Sequence, residues 1–175
     1  MRCLVVGMAA LGIAGGAQAT FFDIEVNNNL WTAQTIARPV GSFAEVGLLN
    51  LTPGDADFVK IKLYQGETLT AITTPLGNAQ FTVPDTQMTL FDGIGSPLMS
   101  NDDAGTGNGS TIQYLVPVTG DYYIGISGYD DPLFAGTSTQ AGNYALTLSV
   151  VPEPGALLAM GIGLAGLVRL RRRSR

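Results

Sequence analysis

Apolar side chains fall on every second residue in three separate runs of this chain. Val59, Ile61 and Leu63 alternate with Lys60 and Lys62. Ile112, Tyr114, Val116 and Val118 form a second set, and Tyr144, Leu146, Leu148 and Val150 alternate with Asn143, Ala145, Thr147 and Ser149. Successive side chains of an extended backbone point to opposite faces, so this period sets one face against a core and the other toward water. No helical period of useful length runs through residues 20–151. Strands are expected at 45–51, 57–64, 68–74, 87–91, 97–100, 111–118, 121–129 and 143–151. Between them lie Pro53-Gly54, Gln65-Gly66, Asp92-Gly93, Asn108-Gly109 and Thr119-Gly120, pairs suited to turns. Thr119-Gly120 reads as a tight hairpin. Short strands at this spacing predict an all-β fold, a single antiparallel β-sandwich of two sheets.

The two ends have a different character. Arg2, a small apolar stretch over residues 3–16 and the A-x-A sequence Ala17-Gln18-Ala19 read as a signal peptide over 1–19, cut by signal peptidase after Ala19. At the other end Pro152-Glu153-Pro154 precedes an apolar run over 155–168 and the basic residues Arg169, Arg171, Arg172, Arg173 and Arg175. Proline cannot donate to a strand ladder, so the pair closes the last strand. As a helix the apolar run spans roughly 21 Å, short of the ~30 Å hydrocarbon core, and the arginines hold its far end in the cytoplasm. The expectation is a short C-terminal transmembrane helix that anchors only briefly.

The order of Pro152, Glu153 and Pro154, a short apolar helix and the cluster with Arg169, Arg171, Arg172 and Arg173 resembles the PEP-CTERM sorting signal of Gram-negative bacteria. The resemblance covers residues 151–175. It implies an exosortase, a membrane cysteine protease, as the partner that removes the tail. The protein is then expected to cross the inner membrane, to be anchored transiently, and to end at the cell surface or outside the cell.

Between these ends, over residues 20–151, Arg38, Lys60 and Lys62 face thirteen carboxylates, a balance of −10. Such a surface suits divalent cations and not the phosphates of nucleic acid. The chain has no histidine, and its one cysteine, Cys3, lies in the signal segment. Ser-His-Asp and Cys-His catalysis and His-ligated zinc are therefore excluded, and no catalytic residue is expected.

A second resemblance runs through the middle. Asp23-Ile24-Glu25-Val26-Asn27-Asn28 opens the series and Gly54-Asp55-Ala56-Asp57-Phe58 leads into a strand. Then come Asp85 to Asp92, Asn101-Asp102-Asp103, Gly120-Asp121-Tyr122-Tyr123-Ile124 and Gly142-Asn143-Tyr144-Ala145-Leu146. In that order they resemble the bacterial pre-peptidase C-terminal domain. The resemblance implies a jelly-roll-like β-sandwich over 20–151, with the sorting signal in 152–175.

The acidic clusters are where chemistry is expected. Calcium takes six to eight oxygen ligands from carboxylates, amides, carbonyls and water. Asp23, Glu25, Asn27 and Asn28 offer such oxygens from one extended segment, and Asp55 and Asp57 stand ready to complete the set. The resemblance implies calcium at the same residues, although Val26 stands where the family has a proline. The competing reading is that Asp55 and Asp57 cap turns while Asp23 and Glu25 are solvated. Asn101 and Asp102 are expected to set Asx turns in the loop 101–110, and Asp130-Asp131 to form a turn before Pro132. Trp31 is expected to pack the N-terminal segment onto the sandwich. Tyr123 and Tyr129 share a face opposite Tyr122. Together these features predict an exported, non-enzymatic protein with a structural or adhesive role linked to exopolysaccharide and calcium. A carbohydrate- or protein-binding module is the alternative, and a hydrolase using Asp102 or Asp103 a remote one.

Overall fold

The computed structural model describes residues 20–77 and 83–153. Ala17, Ala19, Pro154, Arg169, Arg171, Arg172 and Arg173 lie outside the described residues, as does the expected transmembrane helix. Among the described residues no helix is long and apolar enough to cross a membrane.

All eight expected strands form, their ends displaced by at most three residues: β3 (Phe43–Leu51), β4 (Ala56–Leu63), β5 (Glu67–Leu76), β6 (Thr86–Phe91), β7 (Pro97–Asn101), β8 (Thr111–Leu115), β9 (Gly120–Gly128) and β10 (Gly142–Pro152). Two short strands precede them, β1 (Thr20–Phe22) and β2 (Gln34–Ile36). One sheet has the order β1-β3-β10-β5-β8 and the other β2-β4-β9-β6-β7. Among the described residues all pairings are antiparallel except the two made by the short strands, since β1 pairs β3 and β2 pairs β4 in parallel.

The core lies between the sheets and follows the alternation. Tyr144, Leu146, Leu148 and Val150 of β10 are fully buried, as are Val59, Ile61 and Leu63 of β4 and Ile124 and Ile126 of β9. Each such side chain contributes about 1.5–3 kcal/mol by leaving water. β10, paired on both sides by β3 and β5, is the spine of its sheet.

Thr119-Gly120 is not the hairpin expected. β8 and β9 lie in different sheets, and residues 116–119 carry the chain from one to the other. Val116 keeps the first sheet's pairing, donating its N–H to Glu67 O at 2.8 Å and accepting from Gly66 N at 2.9 Å. Its side chain is buried, so the chain crosses the edge of the core instead of turning back on itself.

The segment after β2 is secured by Arg38. Its guanidinium donates to both oxygens of Glu67, at 2.5 and 2.7 Å, to Lys62 O at 3.0 Å and to Gly41 O at 3.3 Å. Glu67 also accepts from Tyr64 N at 2.8 Å. Both side chains are withdrawn from water, and the rings of Phe43 and Tyr64 flank the guanidinium.

Candidate metal centre

Asp57 has the same parity as Val59, Ile61 and Leu63, so β4 turns its carboxyl inward at one end of the core. There it meets Tyr144 of the opposite sheet, whose hydroxyl donates to Asp57 Oδ2 at 2.6 Å. Both residues are 0% exposed. The N-terminal segment after β1 covers this spot. Asp23 N donates to Leu48 O, Asp23 Oδ2 accepts from Asn50 N at 3.2 Å, and Asn27 O accepts from Phe58 N at 2.9 Å. This folding brings one carboxylate oxygen each from Asp23, Glu25 and Asp57 within 4.8 Å of one another. Asn27, also 0% exposed, donates its amide to Asp23 Oδ1 at 3.0 Å.

Two side-chain oxygens here are buried without a hydrogen-bond partner, Asn27 Oδ1 and Asp57 Oδ1. An orphaned buried polar atom costs about 1–3 kcal/mol, so folded proteins leave few of them. Electrostatics adds to the strain. Burial first, and then the charge of Asp23, push the Asp57 carboxyl up to about 8, against the hydrogen bonds from Tyr144 and Asn27. Burial, followed by the charge of Asp55, also raises Asp23 and Glu25. Calcium–oxygen distances of roughly 2.3–2.6 Å let ligands of one ion stand up to about 5 Å apart. Three clustered carboxylates, all hard donors, fit such an ion and not a soft metal.

Of the six expected ligands, Asp23, Glu25 and Asp57 converge and Asn27 is bonded to Asp23, while Asp55 and Asn28 are engaged at the turn beside them. Asp55 is buried but is spent on the turn before β4, accepting from Ala56 N at 2.9 Å and Thr52 N at 3.3 Å. Asn28 donates to the same Asp55 at 3.0 Å and is otherwise exposed, so turn chemistry claims this pair. Asp57, by contrast, caps no turn. Tyr144 was missed as a site residue because its place in a perfect apolar alternation gives no sign of its hydroxyl's partner.

The other acidic positions mostly do turn work. Asn101 Oδ1 accepts from Ala104 N and Thr111 N, whereas Asp102 contributes its backbone carbonyl to Ser110. Hydrogen bonds from Thr139 N, then Ser138 and the Thr139 hydroxyl, hold Asp130 down at about 2. Burial works to raise Asp131, but the N–H groups of Ala135, Thr137 and Gly136 outweigh it and hold this carboxyl low. Asp85 has one buried oxygen without a partner; burial, then the charges of Asp103, Asp102 and Asp130, raise it. Trp31 does not pack onto the sandwich: it is 95% exposed, lifted by an Asx turn in which Asn29 Oδ1 accepts from Trp31 N and Thr32 N. Tyr122 is buried and Tyr123 lies on the outer face beneath Lys60, as parity required, with Tyr129 exposed beyond the strand.

Residues 55–128 match the sequence profile of the bacterial pre-peptidase C-terminal domain, and residues 150–173 that of the PEP-CTERM protein-sorting motif. Over residues 55–128, then, the chain is similar to a pre-peptidase C-terminal domain. The matched stretch includes Asp57 and runs from the turn before β4 to the end of β9. β2 and β10 pair with it from outside the match, and β3 and β1 continue the first sheet beyond β10. The sorting motif implies export, transient membrane anchoring and an exosortase as processing partner. It begins inside β10: Pro152 pairs with Glu67, and Glu153 N donates to Gly66 O at 2.9 Å. Among solved structures, the chain is similar to the Aeromonas hydrophila periplasmic inhibitor of g-type lysozyme (14% identity, 76% of this chain and 98% of that one, TM-score 0.47). It is also similar to the pre-peptidase C-terminal domain of Bacillus anthracis collagenase (16% identity, 67% and 93%, TM-score 0.43). No curated protein matches the chain.

Proposed function

We propose that the mature protein is a non-catalytic module of the cell surface or extracellular matrix, structural or adhesive in role, associated with exopolysaccharide and stiffened by calcium. The carrying observation is the pair of buried, unpartnered oxygens of Asn27 and Asp57 beside Asp23 and Glu25, where the N-terminal segment joins the sandwich. An ion there fastens residues 23–27 to β4 and ties the start of the domain to its core. The acids of the remote hydrolase reading, Asp102 and Asp103, are exposed on a loop, away from the burial that tunes a catalytic pair.

The test is made in cells that produce the full-length chain and contain an exosortase. The protein is expected in the surface or matrix fraction and to be released by EDTA. Mass spectrometry should find it without Arg169–Arg175 and ending at or beyond Glu153, because the backbone up to that residue is held in the sheet. Retention of Arg175, or a surface fraction indifferent to EDTA, contradicts the proposal.

A further inference from the structure

The outer face of the second sheet carries a groove of about 450 Å³ that lies apart from the acidic trio, a volume in the range of sites for small ligands. Its floor follows from register. Phe58 of β4 pairs with Gly125 of β9, which pairs with Thr89 of β6, which pairs with Ser100 of β7. Glycine at 125 leaves a trough in this row, and the rings of Phe58 and Phe134 lie over it. A Cβ there would stand only 2.9 Å from one ring and 3.1 Å from the other.

Phe58, Phe91 and Phe134 form a triangle with centroid separations of 5.4–5.9 Å, two of its pairs edge-to-face. Phe134 has φ +54°, a strained conformation for a bulky residue, and the Asp131 carboxylate holds its loop by accepting from the three N–H groups that follow. Trp31 and Leu133 stand at the rim, both almost wholly exposed. The Trp31 loop is itself pinned, through Asn28 to Asp55 and through Asn27 to Asp23 and Phe58.

The lining carries no ionisable side chain, in a chain with thirteen carboxylates between residues 20 and 151. A charged ligand finds no counter-charge here, and an anion is repelled by the surrounding field. The polar groups present are hydroxyls and amides: Thr89 and Ser100, joined at 2.8 Å with hydrogen-bonding capacity to spare, and Asn28 and Asn29 at the wall. Apolar aromatic faces interleaved with neutral donors and acceptors complement a sugar ring, which has a C–H face and a hydroxyl edge. We infer that this groove binds an uncharged glycan, with Trp31 and Phe134 as stacking platforms and Thr89, Ser100 and the two asparagines meeting its hydroxyls. The inference deepens the adhesive reading above and rests on it, by locating the surface that engages the polymer.

Trp31 is the only tryptophan, so its fluorescence reports on the rim directly. Full-length protein is titrated with neutral cello-, laminari- and mannohexaose and, for comparison, with an anionic galacturonate hexamer, by fluorescence and calorimetry. At least one neutral oligosaccharide is expected to bind saturably, blue-shifting the Trp31 emission, and the anionic one not to bind. Trp31→Ala and Leu133→Asp, both at exposed positions that leave the core intact, should each weaken binding by about tenfold or more in calorimetry. Leu115→Gln, on the other sheet, should leave it unchanged. Absence of saturable binding to every neutral oligosaccharide, preference for the galacturonate, or affinity indifferent to both groove variants overturns the inference. Because binding is read on purified protein, its failure is distinct from failure of EDTA to release the protein from cells.

Discussion

Adding calcium to the metal-free protein at pH 8 is expected to raise its unfolding midpoint by roughly 10 °C, once calcium exceeds its dissociation constant about a hundredfold. The reason lies in Asp57. Its carboxyl keeps a proton up to about pH 8 in the folded protein, against an ordinary value of 3.8. Between those limits the folded state binds more protons than the unfolded state, so metal-free stability falls as pH rises, by up to about 1.4 kcal/mol per unit. The contribution is fully present only below about pH 4 and is gone above about pH 8. Calcium takes the proton's place against three clustered carboxylates, so the loaded protein should lose little over this window and bind the ion more tightly as pH rises. Asp57→Asn separates the two effects. The amide still accepts from Tyr144 but carries no charge, so without metal at pH 8 the variant should be at least as stable as wild type while losing most of the calcium shift. Calorimetry at pH 5 and pH 8, with EDTA or with calcium, reads every arm. An unmoved wild-type midpoint, or a full calcium shift in the variant, removes the metal centre.

The period-two runs gave away the long strands because each has one face against the core, and that asymmetry is written in local sequence. β1 and β2 were invisible for the converse reason: three residues cannot display a period, and parallel pairing with β3 and β4 recruits them. The crossing at residues 116–119 was misread because Thr-Gly satisfies a tight turn locally, while the choice of sheet is set by Val116 pairing with Glu67, far away in the chain.

The acidic centre was legible in composition and only half legible in geometry. Asp55 and Asp57 look alike in sequence, but one precedes the strand and folds back onto its own turn, whereas the other sits within β4 on the core parity. That parity, shared with Val59, was the available signal. Nothing local pairs Asp57 with Tyr144, 87 residues away, because that contact needs the two sheets stacked. The exposure of Trp31 escaped for a related reason. An indole is expected to seek the core, and the Asx turn at Asn29 points it outward instead.

Arg38 and Glu67 gave no sequence signal at all, yet removing either should have one of the largest effects on stability. Arg38→Ala leaves Glu67 with a covered charge and frees the carbonyls of Gly41 and Lys62, so a loss of about 3–5 kcal/mol is expected. Arg38→Lys should recover little, because an ammonium cannot reproduce the planar fork that spans both Glu67 oxygens and two carbonyls. Replacing both partners, Arg38→Met with Glu67→Leu, should restore part of the loss by leaving no unpaired charge behind, even though Tyr64 N loses its acceptor. The pair between Lys60 and Asp121 supplies the contrast. Both of its side chains are about one-third exposed, and Asp121→Asn should cost less than about 1 kcal/mol, less still in high salt. Urea denaturation of these variants in low and high salt checks the scheme. A small loss for Arg38→Ala, or a loss that vanishes with salt, means that the guanidinium is reached by water and that the segment after β2 is held by pairing with β4 alone.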